Sequence, residues 1–238
     1  MNSLVDKVAI VTGSGSGIGR GIADVFADEG AKLVLAARNQ DKLEKARDEL
    51  RSKGASVIAI STDVRNENQV IALFERTLAE FGRLDILVNN AGVGQDAPIE
   101  ETTLEMWQNV LDTNLTGPFL CTREALKIMK PQRSGRIINI GSISAQVPRP
   151  NTVAYACSKR GLAALTRATA LEGRSYGVVA SCLHPGNVAT EMDPNPGEPI
   201  MAVRDFVNVV LAMATLPPQV NMLETIILPV TQPYLGRG

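Results

Sequence analysis

The chain has 238 residues, 45% of them hydrophobic and 21% charged, and its 24 Lys plus Arg against 25 Asp plus Glu leave a formal net charge of −1. That balance argues against a broad electrostatic surface for nucleic acid or anionic lipid. The longest uninterrupted apolar run, Val209–Ala214, is far short of the ~18 residues of a membrane span. The opening residues Met1–Lys7 show no basic-then-apolar secretory pattern. Three cysteines (Cys121, Cys157, Cys182) without C-x-x-C spacing and a lone His184 leave nothing for a metal site. The composition therefore reads as one cytoplasmic globular domain spanning residues 1–238, with no membrane, nucleic-acid or metal partner expected.

Seven short apolar or β-branched runs punctuate the chain, at Lys7–Thr12, Lys32–Ala37, Ser56–Ser61, Leu84–Asn89, Gly135–Gly141, Val178–His184 and Glu224–Val230. Each is apolar on both alternating faces, as in strands covered by helices on either side. Between them lie charged stretches of helical period, for example Gln40–Lys53 with Leu43, Ala46 and Leu50. Repeated β-α-β units predict an α/β fold: a single-domain, Rossmann-type, doubly wound parallel sheet of about seven strands. The Pro-rich stretch Asp193–Pro199 reads as a loop or lid, because too few residues follow it for an independent domain.

The first run passes directly into Gly13-Ser14-Gly15-Ser16-Gly17-Ile18-Gly19 and then a helical pattern over Arg20–Gly30. Glycines let backbone amides approach a pyrophosphate, and a helix N-terminus adds unpaired N–H groups and a positive dipole. The register is Gly13-x-x-x-Gly17-x-Gly19 rather than G-x-G-x-x-G, and a tight turn alone would also explain it. Its place at the first strand-to-helix junction favours a dinucleotide. The second strand ends Ala36-Ala37-Arg38-Asn39, without the acidic residue that bonds a ribose 2′-hydroxyl. Arg38 suits a 2′-phosphate instead, so NADP(H) is favoured over NAD(H).

Tyr155 and Lys159 sit four apart in an Ala- and Leu-rich helical stretch, which puts both on one face. A phenol is a weak acid, and a neighbouring ammonium favours its ionised form. Ser142 follows the fifth strand, where its hydroxyl can bond a reacting carbonyl oxygen. Such a pair alone is a weak signal.

Taken together, Thr12-Gly13…Gly17-Ile18-Gly19, Asn89-Asn90-Ala91-Gly92, Ser142, Tyr155…Lys159 and Pro185-Gly186 resemble, in order and spacing, the short-chain dehydrogenase/reductases, over roughly residues 5 to 230. The resemblance implies that Tyr155 is the general acid/base, that Lys159 assists it and bonds the nicotinamide ribose, and that Ser142 orients the carbonyl. It implies that Asn114 holds a proton-relay water. It further implies a cofactor site made of Gly13, Ser16, Gly17, Ile18, Gly19, Arg38, Asp63, Val64, Asn90, Ala91, Gly92, Tyr155, Lys159, Pro185, Gly186, Val188 and Thr190. In it, Asp63 and Val64 meet adenine, and Val188 and Thr190 lie near the carboxamide. A homo-oligomer, dimer or tetramer, is the implied assembly, through helices in Leu104–Met129 and Thr152–Arg174. The tail Leu228–Gly238 departs from the family's Gly-rich acidic ending, and the lid segment Glu191–Met201 is short.

Other residues invite a role and have plainer readings. His184 reads as a packed strand-end side chain. Cys157, about 200° round the helix from Tyr155, reads as a small core-filling thiol. Trp107 reads as packing, and Arg149 either as a solvated loop residue or as a receptor for an acidic substrate. The expected function is NADP(H)-dependent hydride transfer between nicotinamide and a carbonyl or secondary alcohol: a ketone, aldehyde, hydroxy acid or 3-oxoacyl-type substrate. The alternative is a non-catalytic NADP(H)-binding regulator or redox sensor on the same fold.

Overall fold

The computed structural model describes residues 2–190 and 197–234. Seven parallel strands form one sheet in the order β3-β2-β1-β4-β5-β6-β7. They are β1 (Val8–Thr12), β2 (Lys32–Ala37), β3 (Val57–Ser61), β4 (Ile86–Asn89), β5 (Gly135–Ile140), β6 (Val178–Pro185) and β7 (Glu224–Ile227). The helices are α1 (Gly17–Asp28), α2 (Gln40–Ser52), α3 (Glu67–Phe81), α4 (Leu104–Leu111), α5 (Gly117–Gln132), α6 (Val153–Gly173) and α7 (Val203–Thr215).

Both sheet faces are dry, as the apolar runs require. Ala9 and Val11 of β1, with Leu33 and Leu35 of β2, pack into a core with Ile22 and Phe26 of α1, Leu43 and Leu50 of α2 and Phe206 of α7. Ile10, Val34 and Ala36 point the other way, against Leu73 and Phe74 of α3 and Leu120 and Met129 of α5. Each fully buried Leu or Phe contributes about 1.5–3 kcal/mol relative to exposure. Local signals set the helix ends. The Asn39 side chain accepts from Lys42 N at 2.9 Å and that of Asn66 from Gln69 N at 3.2 Å, while Gly82 ends α3 at φ +72°. The strand order reverses between β1 and β4, so a crevice opens at their carboxyl ends.

Most strand ends shift by one or two residues from the sequence reading, and three differences are larger. Helix α1 begins at Gly17, not Arg20, so Gly17, Ile18 and Gly19 form its first turn. Strand β7 stops at Ile227 instead of Val230, because Pro229 has no N–H for the ladder and the chain turns there, Gln232 N donating to Pro229 O at 3.0 Å. The stretch after Leu104 is interrupted at Asp112–Thr116 by one wide π turn. The lid expected at Glu191–Met201 falls largely outside the described residues, as do the last four residues of the tail.

Candidate active site

At the crevice the Gly-rich loop is shaped by steric necessity. Gly13 has φ +68°, and a Cβ there would lie 2.9 Å from both Ala91 Cα and Asn90 Nδ2. At Gly19 a Cβ would come within 2.3 Å of the Gly13 carbonyl oxygen, so only glycine lets α1 start this close to β1. Ser16 is the N-cap of α1 and makes no capping hydrogen bond, which leaves its hydroxyl and the first-turn amides facing the crevice. Thr12 pins the opposite wall. Its Oγ1 accepts from Asn90 N and Ala91 N, each at 3.0 Å, while Asn90 Nδ2 donates to Thr12 O at 2.9 Å. The amide of Asn90 therefore ties β4 to the loop after β1.

The crevice is a cavity of about 850 Å³ whose walls include Gly13, Ser16, Gly17, Ile18, Arg38, Asp63, Val64, Asn90, Ala91, Gly92, Tyr155, Lys159, Pro185 and Thr190. Gly19 packs beneath it, and Gly186 and Val188 line a second cavity instead. Lys42, in the first turn of α2, joins Arg38 at the β2 end and was missed in the sequence. The carboxylate of Asp63 is forked by Arg65, with Nη2 at 2.6 Å, and that bond holds it below the ordinary carboxylate range. These features suit a dinucleotide carrying an extra phosphate: glycine-walled space and a helix N-terminus at one end, two cations and a neutralised carboxylate at the other.

The second cavity, about 1030 Å³, adjoins the first, and Tyr155 lines both. Ser142, Ile143, Val147, Arg149, Asn187 and Pro233 contribute to its wall. Lys159 is buried and donates from Nζ to Ile140 O at 2.8 Å, with its ammonium 5.5 Å from the centre of the Tyr155 ring. Asn114 lies in the π turn. Its Oδ1 accepts from Val93 N at 2.8 Å, and its Nδ2 donates to Val93 O at 2.9 Å and Ser158 Oγ at 3.2 Å. Ser158 Oγ in turn donates to Tyr155 O at 2.7 Å, so a hydroxyl absent from the sequence reading ties the turn to the helix that carries the phenol. Such π turns recur at functional sites, where the extra residue re-aims backbone groups. Ser142 Oγ accepts from Ser144 N at 3.1 Å, which leaves its O–H free to donate into the second cavity.

The family model for the short chain dehydrogenase matches residues 7–199. The chain belongs to that family, and it is an oxidoreductase of the short-chain dehydrogenase/reductase kind. It is 39% identical over 203 residues to a 3-oxoacyl-[acyl-carrier-protein] reductase of Synechocystis, covering 84% of this chain and 82% of that protein. An uncharacterized oxidoreductase of Staphylococcus aureus is 36% identical over 234 residues, 97% of this chain and 100% of its own length. Among solved structures, a dehydrogenase/reductase from Sinorhizobium meliloti superposes with a TM-score of 0.89 at 32% identity, covering 96% of each chain.

The four plainer readings fare differently in the structure. His184 is a fully buried strand-end residue, as expected. Cys157 is exposed, not core-filling: Tyr155 and Lys159 turn their side of α6 to the crevice, so the opposite side faces solvent. Burial pushes the thiols of Cys121 and Cys182 up to about 12, far from nucleophilic use. Arg149 is not a solvated loop residue. Its Nη2 donates to Asn187 Oδ1 at 3.1 Å and pairs with Glu198, whose Oε2 also accepts from Asn187 Nδ2 at 2.8 Å. Asn187 is fixed from a third side by the tail, its backbone N–H donating to Gln232 Oε1 at 2.9 Å. Trp107 is half-buried on α4 and belongs to neither cavity wall.

Proposed function

We propose that the protein is an NADP(H)-dependent reductase of carbonyls, or in reverse a dehydrogenase of secondary alcohols. The observation that carries the reading is Tyr155 on the shared wall of two cavities, with Lys159 on the glycine-walled side and Ser142 on the other. The cofactor supplies or accepts a hydride at its nicotinamide when bound in the first cavity. The residues of the chain do the rest. Gly13, Ser16, Gly17, Ile18 and Gly19 cradle the pyrophosphate; Asp63 and Val64 flank the adenine; Asn90, Ala91 and Gly92 form the wall beneath the ribose. Pro185, Gly186, Val188 and Thr190 border the nicotinamide end.

Arg38, with Lys42 beside it, selects the 2′-phosphate, since β2 ends in Ala37 and the nearby Asp63 is occupied by Arg65. Ser142 donates to the substrate oxygen and Tyr155 passes the proton to it. Lys159 stands beside the phenol and bonds the ribose. Asn114, whose amide is committed to Val93 and Ser158, holds the relay water through its backbone carbonyl. Removing one positioned acid or base typically costs about 10²–10⁴-fold.

The substrate is a small carbonyl or alcohol compound: ketone, aldehyde, hydroxy acid or 3-oxoacyl-type, the last supported by the 39% identity to the Synechocystis reductase. We further read the enzyme as a cytoplasmic homo-oligomer, dimer or tetramer. Exposed Leu104, Phe119 and Leu171 on α4, α5 and α6 support helix-to-helix pairing. The test is NADPH oxidation followed spectrophotometrically against a carbonyl panel, with NADPH and NADH titrated in parallel. Turnover of at least one carbonyl with NADPH is expected; cofactor binding with no turnover of any would favour the regulator.

A further inference from the structure

The chain's single histidine belongs to neither cavity wall, yet it grips the residue that follows β5. His184 is fully buried near the end of β6. Its Nδ1 lies 2.9 Å from Ser142 O and 3.3 Å from Ser142 N. Nδ1 thus meets both polar groups of Ser142, its carbonyl oxygen and its N–H, which points at the ring nitrogen. The ring fills the space over Gly141, where a Cβ would come 2.6 Å from Nδ1; the strand end and the imidazole are fitted to each other. On the far side, Nε2 is 3.2 Å from Glu224 Oε1. Glu224 is itself held by Arg167 Nη2 at 2.5 Å and by Gln146 Nε2 at 3.3 Å. Gln146 lies four residues after Ser142 on the same turn. Strand β7, helix α6 and that turn thus converge on one imidazole whose Nδ1 ends on the Ser142 peptide.

We propose that His184 is a positioning residue for Ser142, fixing the peptide from which the serine hydroxyl reaches the substrate oxygen. The Ser144 N–H aims the hydroxyl from the side-chain direction, and His184 locks the backbone from behind. The inference rests on the carbonyl-reductase reading, in which Ser142 touches substrate. Misplacing a reacting group by about 1 Å costs on the order of a hundredfold, so the grip is read most directly in turnover.

A double-mutant cycle tests this on the full-length, NADPH-loaded enzyme. His184→Leu should lower kcat about ten- to a hundredfold and leave the NADPH Kd unchanged. His184→Asn, which keeps an amide donor at the Nδ1 position, should recover most of that loss. In a Ser142→Ala background, His184→Leu should add no more than about a twofold further loss, because the two act through one contact. Equal losses in both backgrounds, or no recovery by the Asn variant, would overturn the proposal. Because His184→Leu buries an altered side chain and can fail to fold, a second readout uses the parent protein. Its one histidine gives a single set of ring ¹⁵N resonances, which should show the ring locked in one tautomer at pH 7 by its contacts with the Ser142 peptide; a ring averaged between tautomers would overturn the proposal without any activity measurement. If Ser142→Ala itself turns over like the parent, the catalytic reading fails, and the ring resonances still report whether His184 holds that peptide.

Discussion

The two cavities that meet at Tyr155 are built in opposite ways. The first is walled largely by backbone, with a glycine loop, a helix N-terminus and the ends of β1, β2 and β4, and much of its shape follows from side chains that are absent. The second is bounded by side-chain bridges between distant segments. Arg149 reaches Asn187 and Glu198, 38 and 49 residues away in sequence, and Gln232 reaches Asn187 across 45. A backbone-walled site suits a ligand that never changes, whereas a side-chain-bridged wall can be re-cut residue by residue for different substrates. The difference predicts that changes on the first side act on cofactor binding and changes on the second act on substrate KM.

The largest effect should come where the cavities join. Lys159→Met removes an ammonium that serves both, and should cost about 10²–10⁴-fold in kcat together with weaker NADPH binding, read by steady-state kinetics and cofactor fluorescence. A loss confined to one parameter would separate the two cavities at this residue. On the cofactor side alone, Arg38→Ala should weaken NADPH by roughly ten- to a hundredfold, the ~1.5–3 kcal/mol of one charge-assisted contact, and leave NADH unchanged. Equal affinity for both cofactors in the parent would remove the basis for NADP(H).

On the substrate side alone, Gln232→Ala frees the Asn187 backbone amide, a bond worth about 0.5–1.5 kcal/mol. A rise in substrate KM of a few-fold is expected, with NADPH affinity untouched; a change in NADPH affinity instead would place the tail on the cofactor cavity.

The smallest effect concerns pH. Burial pushes the His184 pKa below its ordinary 6.5, and its contacts with Ser142 O and Glu224 only partly offset that, with Lys159 also opposing a charged ring. The unfolded chain therefore binds a proton that the folded chain refuses. The associated stability is full above pH 6.5 and is lost as pH falls from there through the folded-state pKa. Melting temperatures from pH 7.5 down to 5 should fall more steeply for the parent than for His184→Asn. Parallel curves would show that the histidine titrates alike in both states.

How much could be read from sequence follows the same division. The first cavity is legible in the sequence because its parts are contiguous and sit at strand ends: Gly13–Gly19 after β1, Arg38 after β2 and Asn90–Gly92 after β4. The seven strands were legible because each is apolar on both faces. The substrate side was not, because no local pattern marks Arg149, Asn187, Glu198 and Gln232 as neighbours. The sequence therefore leaves Arg149 between a solvated loop residue and a substrate-facing one, and a lysine in a first helical turn such as Lys42 carries no signal until the fold sets it beside Arg38. Cys157 was misassigned because helical angle gives the direction away from Tyr155 but not what lies there.

On the proposed reading, Tyr155 carries the proton from the wall common to both cavities and adds little to cofactor affinity. Tyr155→Phe tests it most directly, with turnover and NADPH affinity measured on the same preparation. Turnover should fall about 10²–10⁴-fold with NADPH affinity essentially unchanged. Turnover within about threefold of the parent would overturn that role.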